Sequence, residues 1–318
     1  MKSKRRWILL LLTAFVFGIL FYSVDFTVAM NAVRYASPHY LIFSFLLMCT
    51  FPIWCAIRWN LIARQVGGHL GIWQSFIIIM AAWPLGTITP AKSGDLIKVL
   101  FLKNVLPYAK TTGVIIAERL MDVVALCLYG TVFGLIYEFY RACLFTGSLL
   151  VGVIFFFMIA ASPLIHWIPS KWKTLVLDIL AASKSIYRNA WVFFSILAIT
   201  LLNWFCSFMQ TWCCYQAFHV DVPIPFIIAA LPIAIFIGLI PVTLSGMGTR
   251  DSAVIYLFRP YASYEINLAV GILYSIFGYW LLALFGIPFM KSALGGSIKN
   301  IQGDLIRREL LQSDSSQE

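Results

Sequence analysis

The chain has 318 residues, of which 61% are hydrophobic and 11% are charged, and its net charge is +10. Soluble domains carry about 25% charged residues, so this composition excludes a large domain folded in water. The basic excess falls in short segments between apolar runs, which indicates membrane orientation rather than nucleic-acid binding.

The apolar runs predict an all-α polytopic membrane protein with about six full transmembrane helices. A spanning helix needs about 20 apolar residues. The first run starts at Trp7, is long for the hydrophobic part of a signal peptide and is followed by no clean cleavage motif, so we interpret it as an uncleaved span. Full-length spans are predicted at 7–24, 39–59, 112–137, 142–165, 190–215 and 266–290.

Two further apolar stretches, 71–105 and 224–258, are interrupted by proline, glycine and polar residues. Each pattern predicts two short helices that meet at an irregular turn. Such backbone exists at membrane depth only where protein or water satisfies its polar groups. We therefore predict two re-entrant hairpins, and the alternative is an ordinary span followed by a short interfacial helix.

The distribution of basic residues favours the re-entrant interpretation. If both stretches are re-entrant, most lysines and arginines, Arg58, Lys92 and Lys98 among them, lie on the side of the N-terminus, and the opposite side keeps only Arg34, Arg141 and Arg259. The positive-inside rule then predicts that both termini are cytoplasmic in a plasma (bacterial inner) membrane.

The order of elements predicts an inverted-topology repeat within one membrane domain, residues 1–291. Each half, about 1–140 and 141–291, consists of two spans, a broken hairpin and a final span, and the halves enter the membrane from opposite sides. Many transporters are built in this way. Residues 292–318 are predicted to form a polar cytoplasmic tail.

The first candidate motif lies at the break of stretch 71–105. Proline and glycine end one helix there, and Ser93 or Asp95 can cap a new helix that runs to about 106. Free N–H groups at that helix start, together with Lys92, favour an anion such as phosphate. The alternative is a structural corner with a snorkelling lysine. The candidate residues are Lys92, Ser93, Gly94 and Asp95.

The second candidate motif lies near the start of the span 112–137 and contains Glu118, Arg119 and Asp122. Glu118 and Asp122 are four residues apart and share a helix face, whereas Arg119 points elsewhere. Charges within a span cost a few kcal/mol each, so the three must be paired, hydrated or functional. We expect Arg119 to have an acidic partner. The alternative to a functional role is an ion-pair cluster that holds helices together.

The third candidate motif lies at the break of stretch 224–258. Its glycines allow a sharp turn and a close approach to a ligand. Thr249 or Asp251 can cap the following half-helix, and an arginine there can bind phosphate through two hydrogen bonds. The alternative is that this arginine forms a structural bridge with Asp251, Glu118 or Asp122. The candidate residues are Ser245, Gly246, Gly248, Arg250 and Asp251.

Taken in order, the motifs Pro-x-x-x-Gly-Asp, Glu-Arg-Leu-x-Asp and Ile-Pro-x-x-x-x-Gly-x-Gly-x-Arg-Asp resemble the lysylphosphatidylglycerol synthase transmembrane-region family, whose members are also called flippase-like domains. The resemblance covers nearly the whole chain. The family often has Arg-x-Gly-Glu and Arg-Glu where this chain has Lys92–Asp95 and Arg250–Asp251, which keeps the charges and leaves the ligand geometry open. The resemblance implies a stand-alone member without the synthase domain.

These observations predict a flippase-like transporter that moves a phospholipid or a polyisoprenoid-linked lipid, with Lys92 and Arg250 on the phosphate. The second motif would set the electrostatic potential of the site or contact a cationic head group through Glu118, Arg119 and Asp122. The alternative is a non-catalytic membrane partner of a glycosyltransferase or lipid synthase. We expect no enzyme activity, cofactor, metal site or nucleic-acid partner, and the oligomeric state stays open.

Overall fold

The computed structural model describes residues 34–102, 105–161 and 189–294, and every regular element among them is helical, which confirms the all-α class. The predicted first span, 7–24, and nearly all of the predicted tail, 292–318, lie outside the described residues.

The described helices follow the apolar runs of the sequence. They are α1 Pro38–Gln65, α2 Ile72–Thr87, α3 Lys98–Phe101, α4 Tyr108–Ile136, α5 Tyr140–Ala161, α6 Ala190–Ala217, α7 Ile224–Leu239, α8 Thr249–Phe258, α9 Tyr264–Ser275 and α10 Leu282–Leu294. A 3₁₀ segment, Pro90–Ile97, precedes α3, and a 3₁₀ turn, Leu244–Gly246, precedes α8. A π-helical segment, Ile276–Leu281, joins α9 to α10.

Four helical stretches in the described part are long and apolar enough to cross a membrane. They are Pro38–Gln65, Tyr108–Ile136, Ala190–Ala217 and Tyr264–Ala293. The predicted spans 39–59, 112–137, 190–215 and 266–290 are therefore confirmed as apolar helices, most of them a few residues longer than predicted. The predicted span 142–165 corresponds to α5, which is described as far as Ala161. Shorter apolar helices, α2 and α7, begin the two broken stretches.

The distribution of polar and apolar side chains is that of a membrane protein rather than a soluble one. Large apolar side chains such as Leu144, Val151 and Met158 of α5 are exposed on the outside of the bundle, where lipid would cover them. The interior, by contrast, holds charged side chains. The buried charged residues are Arg58, Asp95, Lys98, Glu118, Asp122, Arg250 and Asp251.

Helices α1 and α6 form the most extensive helix pair, and they run antiparallel. The start of α1 meets the end of α6, since the Ser37 N–H donates to the carbonyl of Ala217 at 2.8 Å. A helix of 28 residues is about 42 Å long, so the end of α1 near Gly67 lies at the opposite end of the bundle from the end of α6.

Residues at the start and at the end of each broken stretch lie close together. At the Gly67 end, a Cβ on Gly68 would lie 2.9 Å from Leu106 Cδ1, and Lys110 Nζ donates to the Val66 carbonyl at 3.3 Å. At the opposite end, the rings of Phe226 and Tyr261 are 4.7 Å apart.

The prediction of a helix that runs to about 106 after the first break is wrong, because the chain there forms a 3₁₀ segment and then the single-turn helix α3.

The irregular turns of the two broken stretches touch in the interior. We call the turn around Pro90–Ile97 the first tip and the turn around Leu244–Gly246 the second tip. A Cβ on Gly94 would lie 2.1 Å from the Leu85 carbonyl oxygen, so no side chain fits where the first tip folds back on α2. A Cβ on Gly246 would lie 2.5 Å from the Gly238 carbonyl oxygen at the second tip. Ser245 Oγ joins the tips by donating to the Thr87 carbonyl at 2.6 Å.

Candidate functional site

The site is built around one face of α4, where Glu118 and Asp122 lie one helical turn apart. Arg58 of α1 bonds to both: its Nη2 donates to Glu118 Oε1 at 3.0 Å and its Nη1 to Asp122 Oδ1 at 2.5 Å. Glu118 and Asp122 therefore share a face, as the spacing predicted. The Arg58 side chain is only 2% exposed, which makes this an interior ion-pair network.

Lys98, at the start of α3, belongs to the same network. Its Nζ donates to Glu118 Oε2 at 3.0 Å and lies 4.6 Å from the ring centre of Trp59. Arg58 and Lys98, which were counted among the basic residues of the cytoplasmic side, therefore lie buried in the interior. Both fold inward because Glu118 offers them a buried carboxylate, and neither bears on membrane orientation.

Arg119 closes the network from the other side. Its Nη2 donates to Asp95 Oδ2 at 2.6 Å, and its Nη1 donates to Asp122 Oδ2 at 3.1 Å. The expected acidic partner is thereby confirmed. The Arg119 side chain is 39% exposed, whereas each of its five charged neighbours is at most 12% exposed. Arg119 is thus the accessible member of the network.

The charges of the network cancel: Arg58, Lys98 and Arg119 are cations, and Asp95, Glu118 and Asp122 are carboxylates. Neutral donors add to it, since Trp204 Nε1 donates to Asp122 Oδ1 at 3.1 Å. A buried ion pair gains little net stability, but removing one partner costs about 3–5 kcal/mol because a charge is left uncompensated.

The second tip carries its own ion pair. Arg250 Nη2 donates to Asp251 Oδ1 at 2.8 Å and to Ser275 Oγ at 2.5 Å, so the bridge with Asp251 exists. The guanidinium also lies 4.5 Å from the ring centre of Tyr274 and 5.2 Å from that of Tyr279. One donor is left over, because Arg250 Nη1 is buried without a hydrogen-bond partner.

The two tips differ from the predicted capping. At the second, Asp251 Oδ2 accepts from the Gly248 N–H at 2.9 Å, so Asp251 caps α8 as one of the two predicted candidates. At the first, capping by Ser93 or Asp95 is wrong, since neither the 3₁₀ segment nor α3 has a side-chain cap. The Gly94 N–H instead donates to Thr89 Oγ1 at 2.7 Å, and Asp95 is held by Arg119.

Two adjoining cavities open beside these tips. Cavity 1, about 790 Å³ including space open to the surroundings, contacts all six charges of the network together with Asn203 and Tyr274. Cavity 2, about 630 Å³ on the same measure, contacts the polar residues Arg250 and Ser245 and the apolar residues Leu126, Ile235 and Leu239. Arg119, Asp122, Trp204 and Tyr279 line both cavities and form their common boundary.

The cavities bring together part of the predicted site. Asp95, Glu118, Arg119, Asp122, Ser245 and Arg250 line one or both of them. Gly94, Gly246, Gly248 and Asp251 shape the two tips, and Ser93 is exposed. The side chain of Lys92 lies outside the described part of the structure.

Sequence reasoning missed Arg58, Lys98, Asn203, Trp204, Tyr274 and Tyr279 as cavity residues. Arg58 carried a weak signal: a further apolar turn, Leu61–Ala63, separates it from Arg64, so it lies inside the span rather than at its end. Among the described residues, no group of three or more His, Cys, Asp or Glu side chains could hold a metal ion.

The chain matches the sequence profile of the Lysylphosphatidylglycerol synthase TM region over residues 6–286. It belongs to this family. Two relatives are similar to it over most of their length. A UPF0104 membrane protein of Methanocaldococcus jannaschii is 20% identical over 282 residues, which cover 79% of this chain and 83% of the relative. A UPF0104 membrane protein of Methanothermobacter thermautotrophicus is 19% identical over 305 residues, which cover 83% and 89%.

In this member of the lysylphosphatidylglycerol synthase TM-region family, the three motifs supply the two tips and the charged face of α4. The matched region contains every described helix except the last turns of α10. The family thus establishes a membrane protein whose conspicuous sequence motifs surround the two cavities.

Proposed function

We propose that the protein is a flippase-like transporter that moves a phospholipid or a polyisoprenoid-linked lipid across the plasma membrane. The head group would occupy the joined cavities between two re-entrant hairpins. The observation that carries the proposal is the six-charge network, which opens into both cavities through the accessible Arg119.

The energetic cost of the network supports a polar ligand. A single charge near the centre of a spanning helix costs about 2.5–3.5 kcal/mol on insertion scales. Six charges lie in and beside the membrane helices here, around a space that no side chain fills. A purely structural network would gain from close packing, whereas a network beside a cavity can take part in polar recognition.

Phosphate recognition is assigned to Arg250 and Arg119, which both line cavity 2. Arg250 Nη1 is buried and lacks a partner, so an entering phosphate oxygen would satisfy it. Arginine suits this task because it has five N–H donors, so a guanidinium that is bonded to a carboxylate keeps further donors for a phosphate oxygen. We keep Lys92 as a third phosphate-binding residue on the grounds of its place in the first motif.

The lipid tail would follow the apolar residues of cavity 2. Leu126 and Ile235 are buried there, and Leu239 is 37% exposed at the edge of the bundle. A lipid could therefore keep its tail against the outside of α7 while its phosphate reaches Arg250. Cavity 1 would then accept the remainder of the head group.

An inverted repeat would give the site its alternating access. Helices α1 and α6 both have 28 residues, and α2 and α7 both have 16. The packing is reciprocal as well, because α2 packs on α10 of the second half and α7 packs on α4 of the first half. Each hairpin would then move against the final span of the other half.

Membrane orientation provides an independent test of this architecture. We propose that both termini are cytoplasmic, since the basic segments outside the described residues still favour that side after Arg58 and Lys98 are removed from the count. A topology reporter fused at Gly67 should then be cytoplasmic and one at Asp221 periplasmic. The same location for both reporters would contradict the arrangement.

The transport proposal is tested by a substitution that fills part of cavity 1 and leaves every charged residue unchanged. Gly278 lines cavity 1, and a Cβ placed on it meets no atom within 4 Å, so Gly278→Leu adds bulk to the cavity without a clash at the backbone. Gly152 of α5 is equally uncrowded but faces outward, which makes Gly152→Leu the matched control.

The measurement is the movement of fluorescent phospholipids in proteoliposomes that contain equal amounts of each folded variant. We expect the wild type and Gly152→Leu to move lipid and Gly278→Leu to be at least about tenfold slower, a difference of about 1.4 kcal/mol in the barrier. If the purified wild type moves no lipid, the transport proposal fails, and the role of a membrane partner for a glycosyltransferase or synthase becomes the better account.

A further inference from the structure

Unpartnered polar atoms in the cavity walls indicate what the ligand must supply. Buried polar groups are nearly always hydrogen-bonded, so those without partners need an explanation. Around the two cavities, such atoms are the arginine donors Arg58 Nε, Arg119 Nε and Arg250 Nη1, and the amide acceptor Asn203 Oδ1. The donors suit an anion, and the acceptor suits a neutral hydroxyl group.

The carboxylates of cavity 1 are already engaged. Glu118 accepts from Arg58 and Lys98, Asp122 accepts from Arg58, Arg119 and Trp204, and Asp95 accepts from Arg119. An ammonium group in this cavity would therefore find no carboxylate that lacks a resident cation. It would have to displace one of three resident cations to obtain a carboxylate.

A hydroxyl group needs no such displacement. It can donate to Asn203 Oδ1, which lines cavity 1 and accepts no hydrogen bond. The aromatic side chains of Trp83, Trp204 and Tyr279 line the same cavity, and aromatic surface suits the carbon skeleton of a polyol or sugar ring. Acceptor and aromatic surface together form a site for a neutral polar group.

We propose that the lipid carried by this protein bears an uncharged, hydroxyl-rich head group on its phosphate, and that Asn203 selects it. Glycerol, inositol and a sugar share this chemistry, whereas ethanolamine and lysyl head groups do not. The inference rests on the proposed transport function and adds the class of substrate to it. The phosphate lies at Arg250 and Arg119 in cavity 2, and the hydroxylated group lies beside Asn203 in cavity 1.

The test compares lipids with the same tails and fluorophore and different head groups. The wild-type protein in proteoliposomes is given phosphatidylglycerol, phosphatidylinositol, phosphatidylethanolamine, lysylphosphatidylglycerol and phosphatidic acid, and a polyisoprenyl-phosphate sugar serves as the arm with another tail. We expect the hydroxylated head groups to move at least about tenfold faster than the ammonium ones, which corresponds to about 1.4 kcal/mol.

Two substitutions at Asn203 separate selection from structure. Asn203→Ala should slow the hydroxylated lipids to the rate of phosphatidic acid and leave phosphatidic acid unchanged. Asn203→Asp places an unbalanced carboxylate in the cavity and should raise the rate of phosphatidylethanolamine relative to phosphatidylinositol. A purely structural role for Asn203 would change the rates of all lipids alike.

The outcomes are distinguishable from those of the transport proposal. If the wild type moves ammonium lipids as fast as hydroxylated ones, or if Asn203→Ala leaves every rate unchanged, the head-group inference is overturned while transport stands. If the wild type moves no lipid at all, both proposals fall.

Discussion

In both tips that meet in the interior, a charged residue packs against a glycine of the preceding short helix. A Cβ on Gly86 of the first would lie 2.9 Å from Asp95 Oδ1, and a Cβ on Gly238 of the second would lie 2.9 Å from Arg250 Cβ. Each tip thus packs one charged residue against a glycine near the end of its short helix. At this shared position, the first tip presents an acid and the second a base.

The tips differ in how this charge is held. Asp95 is tied to Arg119 of α4 and through it to the rest of the network, so the first tip is anchored to another part of the molecule. Arg250 is tied to its own neighbour, Asp251, and to Ser275 of α9, and its Nη1 has no partner. The acid of the first tip thus belongs to the network beside cavity 1, whereas Arg250 of the second tip lines cavity 2 with an unpartnered donor.

The largest effect is expected from Glu118→Leu, which breaks the network that anchors the first tip. The substitution leaves Arg58 and Lys98 without the carboxylate between them, and the loss should be about 3–5 kcal/mol. The measurement is the yield and thermal midpoint of monodisperse protein in detergent. Asp221→Asn, a change at an exposed acid, should stay within about 0.5 kcal/mol. Equal stability of the two variants would contradict an anchoring role.

A smaller effect is expected where the tips fold back on their helices. Gly94→Ala forces a Cβ toward the Leu85 carbonyl and should cost about 1–3 kcal/mol through overpacking. Gly246→Ala meets Gly238 in the same way, and its φ of 74° adds about 1–2 kcal/mol for the left-handed conformation. Thermal unfolding in detergent should rank Gly246→Ala below Gly94→Ala, with Gly152→Ala near the wild type. The reverse order would show that the two tips are not built alike.

A gain in stability is expected at a buried polar group that lines neither of the two cavities. Gln210 of α6 is completely buried, and both of its amide atoms lack hydrogen-bond partners. Gln210→Leu should raise stability by about 1–3 kcal/mol, because the desolvation cost of the amide disappears. Lipid movement should not change. A large loss of transport would contradict this and show that Gln210 takes part in lipid movement.

The sequence predicts the scaffold of this site better than its contacts. Hydropathy locates the spans, and proline and glycine locate both breaks, because these signals are local. The spacing of Glu118 and Asp122 also places them correctly on one face of α4. Arg58 and Lys98 escaped prediction because a base near a helix end looks the same whether it snorkels outward or pairs inward, and their partner Glu118 lies on a different helix.

The structure of the first tip also could not be predicted from its local sequence. A helix with a capped start was expected after Pro90, yet Thr89 takes the Gly94 N–H and Arg119 takes Asp95. With its acid engaged elsewhere, the segment forms a 3₁₀ helix instead. The choice is made by a tertiary ion pair that no local pattern contains.

The most direct test of the central claim is the lipid-transport rate of Arg250→Lys in proteoliposomes. Lysine keeps the charge opposite the buried Asp251, so the protein should fold, but it loses the unpartnered Nη1 donor that would hold phosphate. We predict a rate at least about tenfold below the wild type, as expected for the loss of a charge-assisted hydrogen bond worth about 1.5–3 kcal/mol. The matched control, Arg259→Lys at an exposed arginine, should keep the wild-type rate. A wild-type rate for folded Arg250→Lys would contradict a phosphate site at the second tip.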